Sequence, residues 1–63
     1  MATVTLSIAT DNAAFEDDPR AEVARILREA ATKVLDTPHG FALRDLNGNT
    51  VGRLIWKDEE VTP

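Results

Sequence analysis

From Thr3 to Ala9 the apolar residues Val4, Leu6 and Ile8 take every second position, with Thr3, Thr5 and Ser7 between them. That period predicts a strand with one buried and one polar face. A different period begins after Asp18. Val23, Ile26, Leu27, Ala30, Ala31, Val34 and Leu35 recur at three- and four-residue intervals, which predicts an amphipathic helix from Pro19 to about Asp36. Asp18 suits its N-cap, Pro19 its first helical position and Glu22 the positive end of its dipole. Arg25, Glu29 and Lys33 form an i, i+4 ladder read as solvated surface. The stretch Asp36-Thr37-Pro38-His39-Gly40 ends the helix, because Pro38 cannot continue it.

The segment from Phe41 to Trp56, FALRDLNGNTVGRLIW, predicts a hairpin around Asn47-Gly48. A two-residue type I′ turn there places Leu46 opposite Asn49, Arg44 opposite Val51, Leu43 opposite Gly52, Ala42 opposite Arg53 and Phe41 opposite Leu54. Phe41, Leu43, Leu54 and Trp56 then share the face that the helix covers. Ala42, Arg44, Val51, Arg53 and Ile55 share the other. If Gly48 instead closes a three-residue loop with a bulge, the strand slips by one and Leu54 and Trp56 join Ala42 and Arg44. The expected fold is α+β: a single β-α-β-β domain over 1–63 with one helix on one face of a three-stranded sheet. The strand at Thr50–Trp56, being the most apolar, is expected in the centre with the first strand beside it, and the acidic stretch 57–63 is expected to fray.

Composition narrows the function. The chain has 63 residues, too few to bury a large core alone, and no Cys to staple it, so a homodimer is expected, with unpaired edge strands able to extend a sheet across the dimer axis. A net charge of −4 opposes broad adhesion to extended nucleic acid or anionic membrane. No run approaches a membrane span or a signal peptide, which predicts a soluble protein, and the absence of Cys fits a reducing cytosol. The run Glu16-Asp17-Asp18 is explained by the helix dipole and lacks a calcium-loop pattern, His39 lies in a turn without a nucleophile partner, and Ser7 has no nucleophile elbow. The expectation is a protein without catalysis, metal or cofactor.

Candidate binding residues stand where pattern and chemistry disagree. Arg44 and Arg53 place two guanidinium forks among small and apolar neighbours, suited to phosphate or carboxylate, or else to simple solvation. Phe15, set among acids and small residues, either plugs the end of the core or offers its ring to a flat group. Trp56 has the same two readings.

The stretches TDNAAFEDDPRAEVARILREAA and LRDLNGNTVG resemble a family of very short phage and prophage proteins marked by TDNAAFE, ARIL and RDxNGNxVG. The resemblance covers Thr10 to Gly52. It implies counter-defence: a compact, oligomeric sponge that sequesters a small anionic nucleotide immune signal, such as a cyclic ADP-ribose derivative or a cyclic dinucleotide, in the host cytoplasm. In that reading Phe15 or Trp56 stacks on the ligand, Arg44 and Arg53 neutralise phosphate, and Asp11 or Asn12 bonds to ribose or base edges. A different class of reading is an acidic module that docks on a host protein through the second sheet face, and a third is a virion component.

Overall fold

The structure, a computed structural model, describes residues 2–58. In chain order they form strand β1 (Ala2–Ile8), a short 3-10 helix (Ala13–Phe15), helix α1 (Pro19–Lys33), strand β2 (Gly40–Arg44) and strand β3 (Thr50–Asp58). The sheet is antiparallel in the order β1-β3-β2, so the most apolar strand is central, as its composition predicts. Asp18 caps α1 by accepting from Ala21 N–H at 3.1 Å, with Pro19 at the start of the helix. The helix stops at Lys33, one turn before the expected end, and Val34–Asp36 form a turn instead. No helix among the described residues is long and apolar enough to cross a membrane.

β3 sets the register of both neighbours. Leu6 lies opposite Leu54 and Val4 opposite Trp56 on one side, Phe41 opposite Leu54 and Leu43 opposite Gly52 on the other. Alternation therefore sends Leu6, Ile8, Phe41, Leu43 and Leu54 to the helix face. There Phe15, Ile26, Ala30, Leu43 and Val51 form the buried core, with Leu6, Ile8, Ala14, Val23 and Phe41 packed against it.

The hairpin replaces the type I′ turn with the alternative three-residue loop and bulge, but Leu54 and Trp56 do not join Ala42 and Arg44. Within the turn Gly48 has positive φ (85°) and Asn47 does not, so the type I′ turn is not formed. Gly48 N–H donates to Asp45 O at 3.0 Å and Asp45 N–H to Asn49 O at 2.9 Å, which closes a three-residue loop. That loop slips Arg44 to Thr50. A register shift between Leu43 and Arg44 then reverses the slip, so Leu43, Ala42 and Phe41 keep the partners that the two-residue turn predicts. The extra residue on β3 also reverses local alternation. Val51, expected on the outer face, turns inward and is 9% exposed.

β3 continues through Lys57 and Asp58, which pair with Thr3 and Ala2, two residues into the stretch expected to fray. The rest of that stretch, 59–63, lies outside the described residues. β2 ends at Gly40 opposite Ile55, so Trp56–Asp58 pair with β1 alone as a two-stranded extension. Val4 and Trp56 sit on this extension at 44% and 42% exposure.

Candidate functional site

Residues that the sequence marks as chemical divide into a buried clasp and an open face. The clasp begins at Asn12, whose side-chain oxygen accepts from Ala14 N–H at 3.0 Å and caps the 3-10 helix that sends Phe15 into the core. Its amide nitrogen donates to Asp45 Oδ2 at 2.7 Å. Asp45 Oδ1 in turn accepts the N–H groups of Asn47 and Asn49, each at 2.9 Å, and so shapes the hairpin turn. Burial alone would raise the Asp45 pKa. The bonds from Asn49, Asn12 and Asn47 outweigh it and hold the carboxyl below its ordinary value of 3.8.

Glu22 does the same from the helix. It is 6% exposed, accepts from Arg25 Nε at 2.8 Å and Nη2 at 2.9 Å, and takes Leu46 N–H at 2.9 Å. The Arg25 hydrogen bond holds its pKa below 4.5 against the opposing effect of burial. Arg25 also pairs with Glu29 and donates to Arg44 O at 3.2 Å. The helix ladder is thus not plain solvated surface, for Arg25 ties α1 to the hairpin. Lys33 lies 5.7 Å from the centre of the Phe41 ring. Glu22, Asp45, Asn12 and Arg25 bond to one another and to the hairpin backbone, which makes the clasp a structural device.

The open face is the side of the sheet away from α1. Alternation places Thr3, Thr5 and Ser7 of β1, Arg53, Ile55 and Lys57 of β3, and Gly40, Ala42 and Arg44 of β2 on it. Among the described side chains none in these rows is acidic, although the chain carries −4 overall. Arg53 and Lys57 stand about 13 Å apart along one strand at the usual rise per residue. Arg53 lies between Ser7 and Ala42, two small neighbours that leave its guanidinium open to an incoming anion. Arg44 is exposed too, but its Nη1 donates to Gly48 O at 3.2 Å, which draws it toward the hairpin tip.

The six candidate residues therefore do not gather in one place. Arg44 and Arg53 share the open face. Trp56 alternates with Leu54 and Val4 on the opposite, helix-bearing face. Phe15 is 2% exposed at the centre of the core and presents no ring face to a ligand, which is the plug reading. Asn12 is committed to its cap and to Asp45. Asp11 is exposed on the crossover after β1. No aromatic side chain among those described joins the arginines, so one copy of the chain does not assemble the stacking pocket of the earlier expectation. The hollow between α1 and β2, lined by Ile26, Lys33, Leu43 and Arg44, holds only about 50 Å³, far below the several hundred of a small-molecule pocket.

Lys57 and the row Thr3, Thr5 and Ser7 are the members that residue-by-residue reading missed. Their signal was the period-two pattern itself, which continues past Trp56 when Thr3 lies opposite Lys57. Compared with known protein families, curated proteins and solved structures, the chain finds no match.

Proposed function

We propose that this chain is a non-catalytic binding protein that takes a phosphorylated ligand on its open sheet face, with Arg53 as the central donor and Lys57 and Arg44 at either end. The carrying observation is the sorting of charge: an acidic protein keeps one sheet face of hydroxyl, small and cationic side chains and the exposed Ile55, with no acid among those described. A guanidinium fork gives two parallel N–H donors to a phosphate, and the hydroxyls of Thr5 and Ser7 supply neutral donors beside it. The resemblance to short phage proteins makes a small nucleotide signal the ligand class of choice and sequestration in the host cytoplasm the role. Stacking then has to come from contacts other than Phe15.

Calorimetry of the full chain against cyclic dinucleotides and cyclic ADP-ribose isomers, with pyrophosphate as a bare diphosphate, tests this. Binding is expected to weaken about tenfold or more in Arg53→Glu, the scale of a lost hydrogen bond to a charged group, and to weaken with added salt. Recovery of the ligand unchanged separates a sponge from a hydrolase. No heat with any member, or binding indifferent to Arg53→Glu, overturns the reading.

The hollow between α1 and β2 holds only about 50 Å³, which favours a second reading, in which the open face meets an acidic patch on a host protein. Capture of one stoichiometric partner, lost in both Arg53→Glu and Arg44→Glu, with no nucleotide heat, supports that alternative.

A further inference from the structure

The two edges of the sheet are guarded differently. β2 is short, and the carbonyl of Arg44 is already taken by Arg25, so that edge is partly closed. β1 has none of these devices. Its seven residues, ATVTLSI, contain no charge, proline or glycine.

The direction of its unpaired backbone groups follows from one bond. Ala9 N–H donates to Val51 O at 2.8 Å. In an antiparallel ladder alternate residues turn their backbone groups to the same side, so Ser7, Thr5 and Thr3 also bond to β3. The N–H and C=O groups of Ala2, Val4, Leu6 and Ile8 then point outward, and no other described segment pairs with them. A fully uncharged edge on a chain of net charge −4 is complementary to itself and to little else on this surface.

We infer that a second copy of this chain pairs with β1, antiparallel, about a two-fold axis at Thr5. This register brings Val4 opposite Leu6 of the partner subunit and Ala2 opposite Ile8 of the partner subunit, so every outward amide gains a partner. Side chains keep their faces, because opposed positions in it have the same parity. The result is a six-stranded sheet with both helices on one side. Val4 and Leu6 of the two copies meet across the axis and bring Val4 and its neighbour Trp56, the half-exposed apolar pair of the extension, under cover.

The consequence for ligand binding rests on the reading of the open face as an anion site. Pairing sets the Thr3, Thr5 and Ser7 rows of both copies side by side as a hydroxyl floor. The Arg53 and Lys57 columns flank it, about 14 Å apart across three strand spacings. A single copy supplies one wall; the dimer supplies two.

Sedimentation of the full chain tests the interface without any ligand. The wild-type chain is expected to be a dimer at about 50 µM, with Trp56 emission shifting to the red as dilution separates the copies. Thr5→Lys and Thr5→Glu each set like charges face to face at the axis and are expected to give monomers with unchanged circular dichroism. Mixing the two variants restores the dimer. Val4→Pro, which removes an outward amide that β3 does not use, is also expected to be monomeric. A wild-type chain that stays monomeric up to about 200 µM overturns the proposal, as does a dimer that both Thr5 charges leave intact. A monomer would leave the anion reading standing, because Arg53→Glu tests it within one copy. A dimer that binds no anion would sink that reading and leave the pairing.

Discussion

Asn12 Nδ2 donates to Asp45 Oδ2 at 2.7 Å across 33 residues of sequence, joining the crossover after β1 to the β2–β3 turn. Each partner also organises its own loop, Asn12 by capping the 3-10 helix and Asp45 by accepting the N–H groups of Asn47 and Asn49. The TDNAAFE and RDLNGN stretches are thus two halves of one clasp. Asn12→Asp sets a second carboxylate against Asp45 and is expected to destabilise more than Asn12→Ala. A double-mutant cycle of Asn12→Ala with Asp45→Asn, followed by urea melts, is expected to show losses that fall short of adding.

Acid should open the same region. Glu22 and Asp45 both have folded pKa values below their ordinary 4.5 and 3.8, so the folded state binds fewer protons than the unfolded chain near those values. Their contribution is present above the unfolded pKa and is lost as pH falls through the folded one. Urea midpoints are expected to be flat with respect to these two groups from pH 7 to about 5.5 and to drop below about pH 4.5. Glu22→Gln is expected to lower the midpoint at pH 7 and to flatten the acid limb.

Phe15 separates a core role from a ligand role. Truncation of a buried Phe to Ala costs about 3–5 kcal/mol, which is the whole stability of many domains this small. Phe15→Ala is therefore expected to be largely unfolded at 25 °C by circular dichroism. Phe15→Leu is expected to fold with a lower melting temperature and to bind any ligand of the open face as the wild-type chain does. A folded Phe15→Leu protein with selectively abolished binding would return the ring to the site.

Much of this fold is legible in the sequence because burial enforces periodicity. Val4, Leu6 and Ile8 announce β1 and the stripe from Val23 to Ala30 announces α1, although Val4 and Leu27 of these patterns stay exposed. The turn was less legible. Asn47-Gly48 suits a type I′ turn, but Asp45 bonds to two N–H groups in the loop and favours a three-residue closure, and the bulge that repairs the register leaves no mark on local composition. The candidate site was legible only in part. Arg44 and Arg53 were visible as cations in a strand, and the two-residue register already set Trp56 on the other face from them, where the structure has it. The roles of Asn12 and Glu22 depend on hydrogen-bond partners 33 and 24 residues away.

Two glycines in the hairpin should respond in different ways. Gly48 has φ of 85° and open space where a side chain would go, so Gly48→Ala carries only backbone strain, about 1–2 kcal/mol. Gly48→Asn is expected to recover part of that loss, since Asn tolerates the left-handed region better than Ala. Gly52 has an ordinary backbone conformation, but an added Cβ would overlap the Ser7 carbonyl oxygen and crowd Ile8 Cα on β1. Backbone cannot swing aside as a side-chain tip can, so Gly52→Ala has to push β1 and β3 apart at their pairing. The expected outcome is a much larger loss for Gly52→Ala than for Gly48→Ala in parallel urea melts, with faster hydrogen exchange at Ala9 N–H, which bonds next to the displaced contact. Equal losses at the two glycines would mean that β1 does not approach β3 as closely as the Ser7–Gly52 contact requires, and the outward-facing amides of β1 would lose their assigned direction with it.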